Sequence, residues 1–274
     1  MTLELSATEP LVLVGAGKMG GSLLAGWLAE GLAPEAVVVV DPAPAPETLA
    51  RLAALGVRHS AVAPTDVVAR VLLVAVKPQV LDAVLPPLGP LVGPRTIVIS
   101  VVAGKTIATF RAALGGGLIV RTIPNTPSQV GRGITAAVAG DDVGAADRDL
   151  VGRLLAAVGR VEWVDEERLI DLVTAISGSG PAYVFHMVEA LAAAGTSLGL
   201  APDLAARLAR ATVEGAGELL YRSEDSPETL RRNVTSPGGT TAAALAVLMG
   251  DDALTRLMSE AAAAAAKRSK ELAG

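Results

Sequence analysis

The chain has 274 residues, 51% of them apolar, and a formal net charge of −5, which is material for one large domain or two ordinary ones around a buried core. Arg, Asp and Glu are scattered without a basic face or a charged tail, so a nucleic-acid partner is not expected. There is no cysteine, and the two histidines, His59 and His186, lie far apart; disulfides, thiolate metal sites and a cysteine nucleophile are excluded, and no metal site is expected.

The first ten residues lack a basic segment ahead of an apolar one, and the apolar run that follows is broken by Gly15, Gly17, Gly20 and Gly21, so no signal peptide is read. No stretch supplies the roughly 18 uninterrupted apolar residues of a membrane helix. A soluble, cytoplasmic protein with no membrane partner is the expectation. The first half then alternates short apolar runs with helical stretches. LVLV (11–14), VVVV (37–40), VLLVAV (71–76), TIVISVV (96–102) and LIVRTI (118–123) are of strand length and continuously apolar, as for strands covered on both faces. Between them, 18–30, 46–55, 80–85 and 106–114 read as crossover helices, the first two closing at Gly31 and Gly56. ITAAVA (134–139) and VEWV (161–164), separated by a helix over 145–158, extend the same sheet. The rhythm is that of a doubly wound, mostly parallel α/β sheet.

After residue 165 the β-branched runs stop. Segments 166–176, 180–198, 203–221, 227–234, 240–249 and 252–271 read as helices punctuated by GSGP, GLAP, SEDSP, TSPGG and GDD. The sequence therefore divides into 1–165, an α/β domain, and 166–274, an all-α domain. The long alanine-rich helices of the second part carry few charges, more apolar surface than about 110 residues bury alone, so a homodimer through these helices is expected.

VGAGKMG (14–20) has the form G-x-G-x-x-G directly after the first strand and directly before a helix. In that position Gly15 makes the tight turn, Gly17 lets a pyrophosphate approach the backbone, and Gly20 packs helix against strand; this is the Rossmann dinucleotide turn. Asp41, 26 residues after Gly15 at the end of the second strand, is placed to accept hydrogen bonds from ribose hydroxyls. A carboxylate there repels a 2′-phosphate and the following PAPAP has no Arg, Ser or Thr to receive one, so the local chemistry leans to NADH; a plain strand-end cap is the other reading of Asp41. AVKPQ (75–79) sits at the carboxyl edge, where Ala75, Val76, Lys77 and Pro78 would run along the ribose and nicotinamide, with Pro78 also suited to a first helical position. In RTIPNTP (121–127), Asn125 and Thr126 offer side-chain hydrogen bonds at another strand end, and on the residues alone a ligand contact and a plain loop stand equally.

With this turn, AVKP, PNTP, SGSGPAY (177–183) and VTSPGGTT (234–241), the chain resembles the pyrroline-5-carboxylate reductase family of proline biosynthesis, nearly end to end. The resemblance implies a Rossmann-type N-terminal domain, an all-α C-terminal domain that interlocks with a partner's, and assembly of such dimers into larger rings such as a decamer. It implies reduction of the cyclic imine pyrroline-5-carboxylate to L-proline with NADPH or NADH. Carried over, the substrate loop falls on Ser236, Pro237, Gly238, Gly239, Thr240 and Thr241. Thr241 is then the catalytic hydroxyl near the imine nitrogen, Ser236 with the backbone of Gly239 and Thr240 holds the carboxylate, and Glu224 matches an acid near this loop. Cofactor contacts map to Gly15, Ala16, Lys18, Met19, Ala75, Lys77 and Asn125. Two positions depart from the family pattern: Lys18 replaces a neutral amide, and Asp41-Pro42 stands where Ser, Thr, Asn or Arg is common.

The loop makes chemical sense without the resemblance. A small carboxylate suits a helix start with free N–H groups, which Pro237, Gly238 and Gly239 leave open to close approach. A neutral hydroxyl such as Thr241 can bond a protonated imine without repelling it. A β-hydroxyacid or sugar-acid dehydrogenase of the same architecture would need a base to deprotonate an alcohol. Such enzymes draw a lysine from the helical domain, whereas the lysines here are at 18, 77, 105, 267 and 270. His186 is the remaining candidate base there, and a lone helical histidine is more often packed or solvated. A non-catalytic NAD(P)H-sensing regulator is a third reading, and it leaves VTSPGGTT without a purpose.

Overall fold

The computed structural model describes residues 5–273, which form two compact units, one of residues up to 178 together with 266–273 and one of Ser179–Ala265. The first is built on β1 (Leu11–Val14), α1 (Lys18–Ala29), β2 (Val37–Val40), α2 (Pro46–Ala54), β3 (Arg58–Ser60), β4 (Val71–Val74), α3 (Leu81–Val84), β5 (Ile97–Ser100), α4 (Ile107–Leu114), β6 (Leu118–Ile123), β7 (Gly133–Ala139), α5 (Ala145–Ala156), β8 (Gly159–Trp163) and α6 (Leu169–Val173). The strands make one sheet in the order β3-β2-β1-β4-β5-β6-β7-β8. The β6–β7 pair is antiparallel and every other pair parallel, the doubly wound, mostly parallel arrangement expected from the sequence. Strand order reverses between β1 and β4, which opens a crevice at their carboxyl ends.

Continuous apolar runs give four strands buried on both faces, β1, β2, β4 and β5, apart from the terminal Ser100 of β5 all apolar. On one face Leu13, Val39 and Leu73 pack with Leu23, Trp27 and Leu154 from α1 and α5. On the other, Val12, Leu72 and Val98 pack with Leu81, Leu88 and Phe110. Trp27 is fully buried and its Nε1 donates to the Leu154 carbonyl at 2.7 Å, so the polar tip of the largest core side chain is satisfied.

Three local expectations shift. The ladder of VLLVAV ends at Val74 and that of TIVISVV spans only Ile97–Ser100, because beyond them the chain leaves the sheet at its carboxyl edge. The crossover over 80–85 shrinks to α3, flanked by 3₁₀ turns at Pro78–Val80 and Pro86–Leu91, since Pro78, Pro86, Pro87 and Pro90 remove the donors a longer α-helix needs. β3 was not read from the sequence at all: Arg58-His59-Ser60 has no apolar run, as befits an exposed edge strand.

The first unit reaches past residue 165. Arg121 on β6 is buried, with Nη1 at 3.1 Å from Glu167 and Nη2 at 3.4 Å from Asp171, while Ser269 donates to the same Asp171 oxygen at 3.0 Å. A buried guanidinium requires such partners, and they tie α6 and 266–273 to the sheet. α6 runs on through a π-helical turn, Thr174–Gly178.

The second unit contains α7 (Gly180–Ser197), α8 (Pro202–Arg222), α9 (Pro227–Asn233), α10 (Thr240–Met249) and most of α11 (Ala253–Ala273). α7 and α8 pack on each other. Ala205 and Ala209 are the only buried residues within 179–265.

Candidate active site

The first glycine turn follows directly from the strand pairing. Val14 pairs with Val40 in a one-to-one parallel register, so the next residues, Gly15 and Asp41, emerge together at the carboxyl edge. Gly15 has φ +92°, and a Cβ there would stand 2.7 Å from the Ala75 carbonyl oxygen; only glycine fits. Its N–H donates to the Val40 carbonyl at 2.9 Å, and Ala75 N–H donates to the Val14 carbonyl at 2.8 Å. Gly17 then caps α1 with extended backbone and no side-chain acceptor. The first intrahelical bond is Gly21 N–H to Gly17 carbonyl at 2.7 Å, which leaves the N–H groups of Lys18, Met19 and Gly20 ahead of it. A Cβ at Gly17 would meet nothing within 4 Å, whereas one at Gly20 would run into the Gly15 carbonyl. Free space thus lies in front of the helix start and tight packing behind it.

Two cavities flank this turn. The smaller, about 480 Å³, is bordered by Gly15, Gly17, Asp41, Ala75, Val76 and Lys77. The larger, about 700 Å³, is bordered among others by Ala16, Gly17, Lys18, Ser22, Asp41 and Arg51. A pyrophosphate fits the donor set at the start of α1, and the open space at Gly17 is what an approaching phosphate requires. Gly17, Lys18 and Met19 would hold it by their backbone, since the Ala16 N–H is already donated to Asp41 Oδ2 at 2.9 Å, with Ala75, Val76 and Lys77 forming the wall of the smaller cavity.

The remaining sequence candidates in this unit serve the scaffold more directly. Asn125 is buried and its Oδ1 accepts the Ile134 N–H at 3.0 Å, so it joins β6 to β7. Thr126 is exposed at the start of the 3₁₀ turn Thr126–Val130. Pro78 opens the turn Pro78–Val80. Met19, Gly20, Pro78, Asn125 and Thr126 border neither of these two cavities. Sequence reasoning missed Ser22, Arg51 and Gln129, which do border the larger one, and His59, whose Nε2 meets the Asp41 carbonyl at 2.9 Å. No motif marks these residues; α1, α2 and the turn Thr126–Val130 carry Ser22, Arg51 and Gln129, and the register of β3 on β2 brings His59 beside Asp41.

The second glycine turn lies in the helical unit. Gly239 N–H donates to the Ser236 carbonyl at 3.1 Å and Gly238 has φ +68°, so Ser236–Gly239 is a type II β-turn with Pro237 and Gly238 in the positions that type requires. Gly239 caps α10 with extended backbone and no side-chain acceptor, and Thr240 and Thr241 begin the helix. Ala243 N–H to Gly239 carbonyl, 3.1 Å, is the first intrahelical bond, which leaves Thr240, Thr241 and Ala242 N–H groups open. A Cβ on Gly239 would collide with Ser236 Oγ. Ser236 and Thr240 are exposed and Thr241 half-buried; Glu224 is exposed in the segment between α8 and α9.

Both ends of the chain match known proteins. Residues 167–272 match the family model for pyrroline-5-carboxylate reductase dimerisation, and residues 10–104 that for coenzyme F420-dependent NADP oxidoreductases. The chain is 40% identical to a pyrroline-5-carboxylate reductase of Pseudomonas aeruginosa, over 97% of this chain and 98% of that one. This chain belongs to the pyrroline-5-carboxylate reductase family. A Synechocystis member is 41% identical over 96% of this chain and 97% of its own length. Among solved structures, the pyrroline-5-carboxylate reductase of Coxiella burnetii superposes with a TM-score of 0.90 at 35% identity, covering 97% of this chain and 99% of that one. The Plasmodium falciparum enzyme, solved with NADP bound, gives a TM-score of 0.79 at 27% identity over 98% and 100%. The resemblance seen in VGAGKMG, AVKP, PNTP and VTSPGGTT thus extends over the whole fold.

Proposed function

We propose that this chain reduces 1-pyrroline-5-carboxylate to L-proline with a reduced nicotinamide dinucleotide, the last step of proline biosynthesis. Family membership sets the reaction, and the observation on this chain that carries it is the start of α10: Ser236-Pro237-Gly238-Gly239 bends back and presents a helix start with no side-chain cap and no acid in its first turn. Such a terminus receives a single carboxylate through free N–H groups and the positive end of the helix dipole. The bound dinucleotide supplies the hydride that C5 of the imine accepts. The backbone of Gly17 to Gly20 holds its pyrophosphate, and Ala75, Val76 and Lys77 line its path. Ser236 Oγ and the open N–H groups of Thr240 and Thr241 take the substrate carboxylate, the Gly239 N–H being engaged by the Ser236 carbonyl, with Glu224 near the loop. Thr241 Oγ1 sets the imine nitrogen by a hydrogen bond that does not oppose its positive charge. The test is direct: purified protein, pyrroline-5-carboxylate and each cofactor should give proline with loss of nicotinamide absorbance, and no oxidation of either cofactor overturns the proposal.

The same reading makes residues 166–274 the substrate and dimerisation part. α7, α8, α10 and α11 expose Phe185, Leu191, Leu208, Leu219, Val247 and Leu257, and a unit with two buried alanines has too little core to stand alone. A second copy covering these helices supplies the missing burial, so a homodimer is expected, with larger rings such as a decamer built from it. Among the described residues no helix is long and apolar enough to cross a membrane, and a cytoplasmic setting suits a biosynthetic reductase. Light scattering of the purified chain should give a dimer or a multiple of it; a monodisperse monomer overturns this part.

A further inference from the structure

Asp41 does more than close a strand. Its Oδ2 accepts the Ala16 N–H at 2.9 Å and its Oδ1 accepts the Ala43 N–H at 3.0 Å, so one carboxylate ties the turn after β1 to the turn after β2. The backbone of Asp41 is itself held, its N–H donating to the Ser60 carbonyl at 3.1 Å and its carbonyl meeting His59 Nε2 at 2.9 Å. The carboxylate has a fixed place before any ligand arrives, forms no ion pair among the described residues, and borders both cavities beside the glycine turn.

We infer that Asp41 is the specificity-determining residue for the cofactor and selects a dinucleotide with free ribose hydroxyls, NADH, over one with a 2′-phosphate, NADPH. This rests on the dinucleotide reading above and deepens it. A carboxylate offers about four acceptor positions; two are occupied by Ala16 and Ala43 N–H, and the others remain for the 2′- and 3′-hydroxyls, which can donate. A 2′-phosphate donates little and brings close to two negative charges. The two backbone N–H groups that could have donated to it, those of Ala16 and Ala43, are already taken by the Asp41 side chain. With Asp41 counted, the charges bordering the larger cavity cancel. Lys18 and Arg51 border the larger cavity, but so do Asp41 and Glu47, and Pro42, Ala43, Pro44 and Ala45 bring neither hydroxyl nor cation.

Calorimetric titration of the full chain, without imine, tests this with NADH, NADPH, ADP-ribose and 2′-phospho-ADP-ribose. The wild type should bind NADH and ADP-ribose about tenfold or more tightly than their 2′-phosphorylated counterparts, a difference of about 1.4 kcal/mol. Asp41→Ser should lose affinity for NADH and erase or reverse the difference, with Asp41→Asn between. Equal or tighter binding of NADPH by the wild type overturns the inference, as does an unchanged ratio in Asp41→Ser; the wild-type ratio decides alone if the variants do not fold. A protein that reduces the imine best with NADPH overturns this inference and leaves the proposed function standing, whereas one that binds neither dinucleotide overturns both.

Discussion

Three α-helices among the described residues have a glycine as N-cap, and two of these three leave the start open. α5 begins at Gly144 but carries Asp147 in its first turn, whereas α1 and α10, starting at Gly17 and Gly239, have neither an acid in the first turn nor a side-chain cap. Two other helices close their starts with a side-chain oxygen: Thr106 accepts the Thr109 N–H of α4, and Ser226 accepts the Thr229 N–H of α9. A helix start that serves only as a joint is satisfied internally, and one left open has donors to offer an anion. The two open starts also differ from each other. The turn before α1 has a carboxylate clamped to it, Asp41 on Ala16, beside two large cavities; the turn before α10 carries the hydroxyls of Ser236, Thr240 and Thr241. The first suits a large ligand with a ribose beside its phosphates, the second a single small carboxylate.

That contrast can be broken most sharply at Gly15. Gly15→Val places a branched side chain at φ +92° against the Ala75 carbonyl, and dinucleotide affinity measured by titration should fall more than about 100-fold; normal binding would remove the turn from the site. Next comes Thr241→Val, for which kcat should fall by about 100-fold while cofactor affinity stays within about twofold. An unaltered kcat takes Thr241 out of the chemistry. The two glycine caps then separate function from structure. Gly239→Ala forces its methyl into Ser236 Oγ and should raise KM for the imine by roughly tenfold. Gly144→Ala, where the nearest outside atom to an added methyl is Asp147 Oδ2 at 3.8 Å, should leave both kinetic constants unchanged. Equal effects at the two positions would mean that the α10 start is only a joint.

The smallest effect belongs far from both turns. The exposed Arg58 guanidinium draws the Asp66 carboxyl below its ordinary value of 3.8. A depressed folded-state pKa contributes stability above the unfolded value and loses it as pH falls through the folded one. Asp66→Asn should therefore shift the neutral-pH melting midpoint by less than about 2 °C and leave kinetics alone. A large shift would mean that this edge carries more of the fold than its exposure implies.

Much of this arrangement was legible in the residues. VVVV and LIVRTI announce buried strands because a run apolar on both faces has few other homes, and SPGG announces a turn because proline and glycine fix the backbone signs of a type II bend. The unread parts share a cause. Arg58-His59-Ser60 is an edge strand without an apolar signature. Arg121 sits inside an apolar run yet is buried as a cation, since its carboxylates arrive 46 and 50 residues later. The division at 165 follows the change in composition and lies beside the start of the dimerisation match at 167, while compactness carries α6 and the end of α11 with the sheet through that same buried arginine.

By itself, then, the sequence determined where strands, helices and the two glycine turns fall, because local periodicity and turn chemistry act within a few residues. It also placed an acid at the end of β2, but left open whether Asp41 caps the strand or faces a ligand. Tertiary structure decided that it is clamped by Ala16 and Ala43 at the border of both cavities. Those positions depend on the parallel register of β1 on β2, and a hydrogen bond across 25 residues is set by strand pairing, which no local pattern encodes.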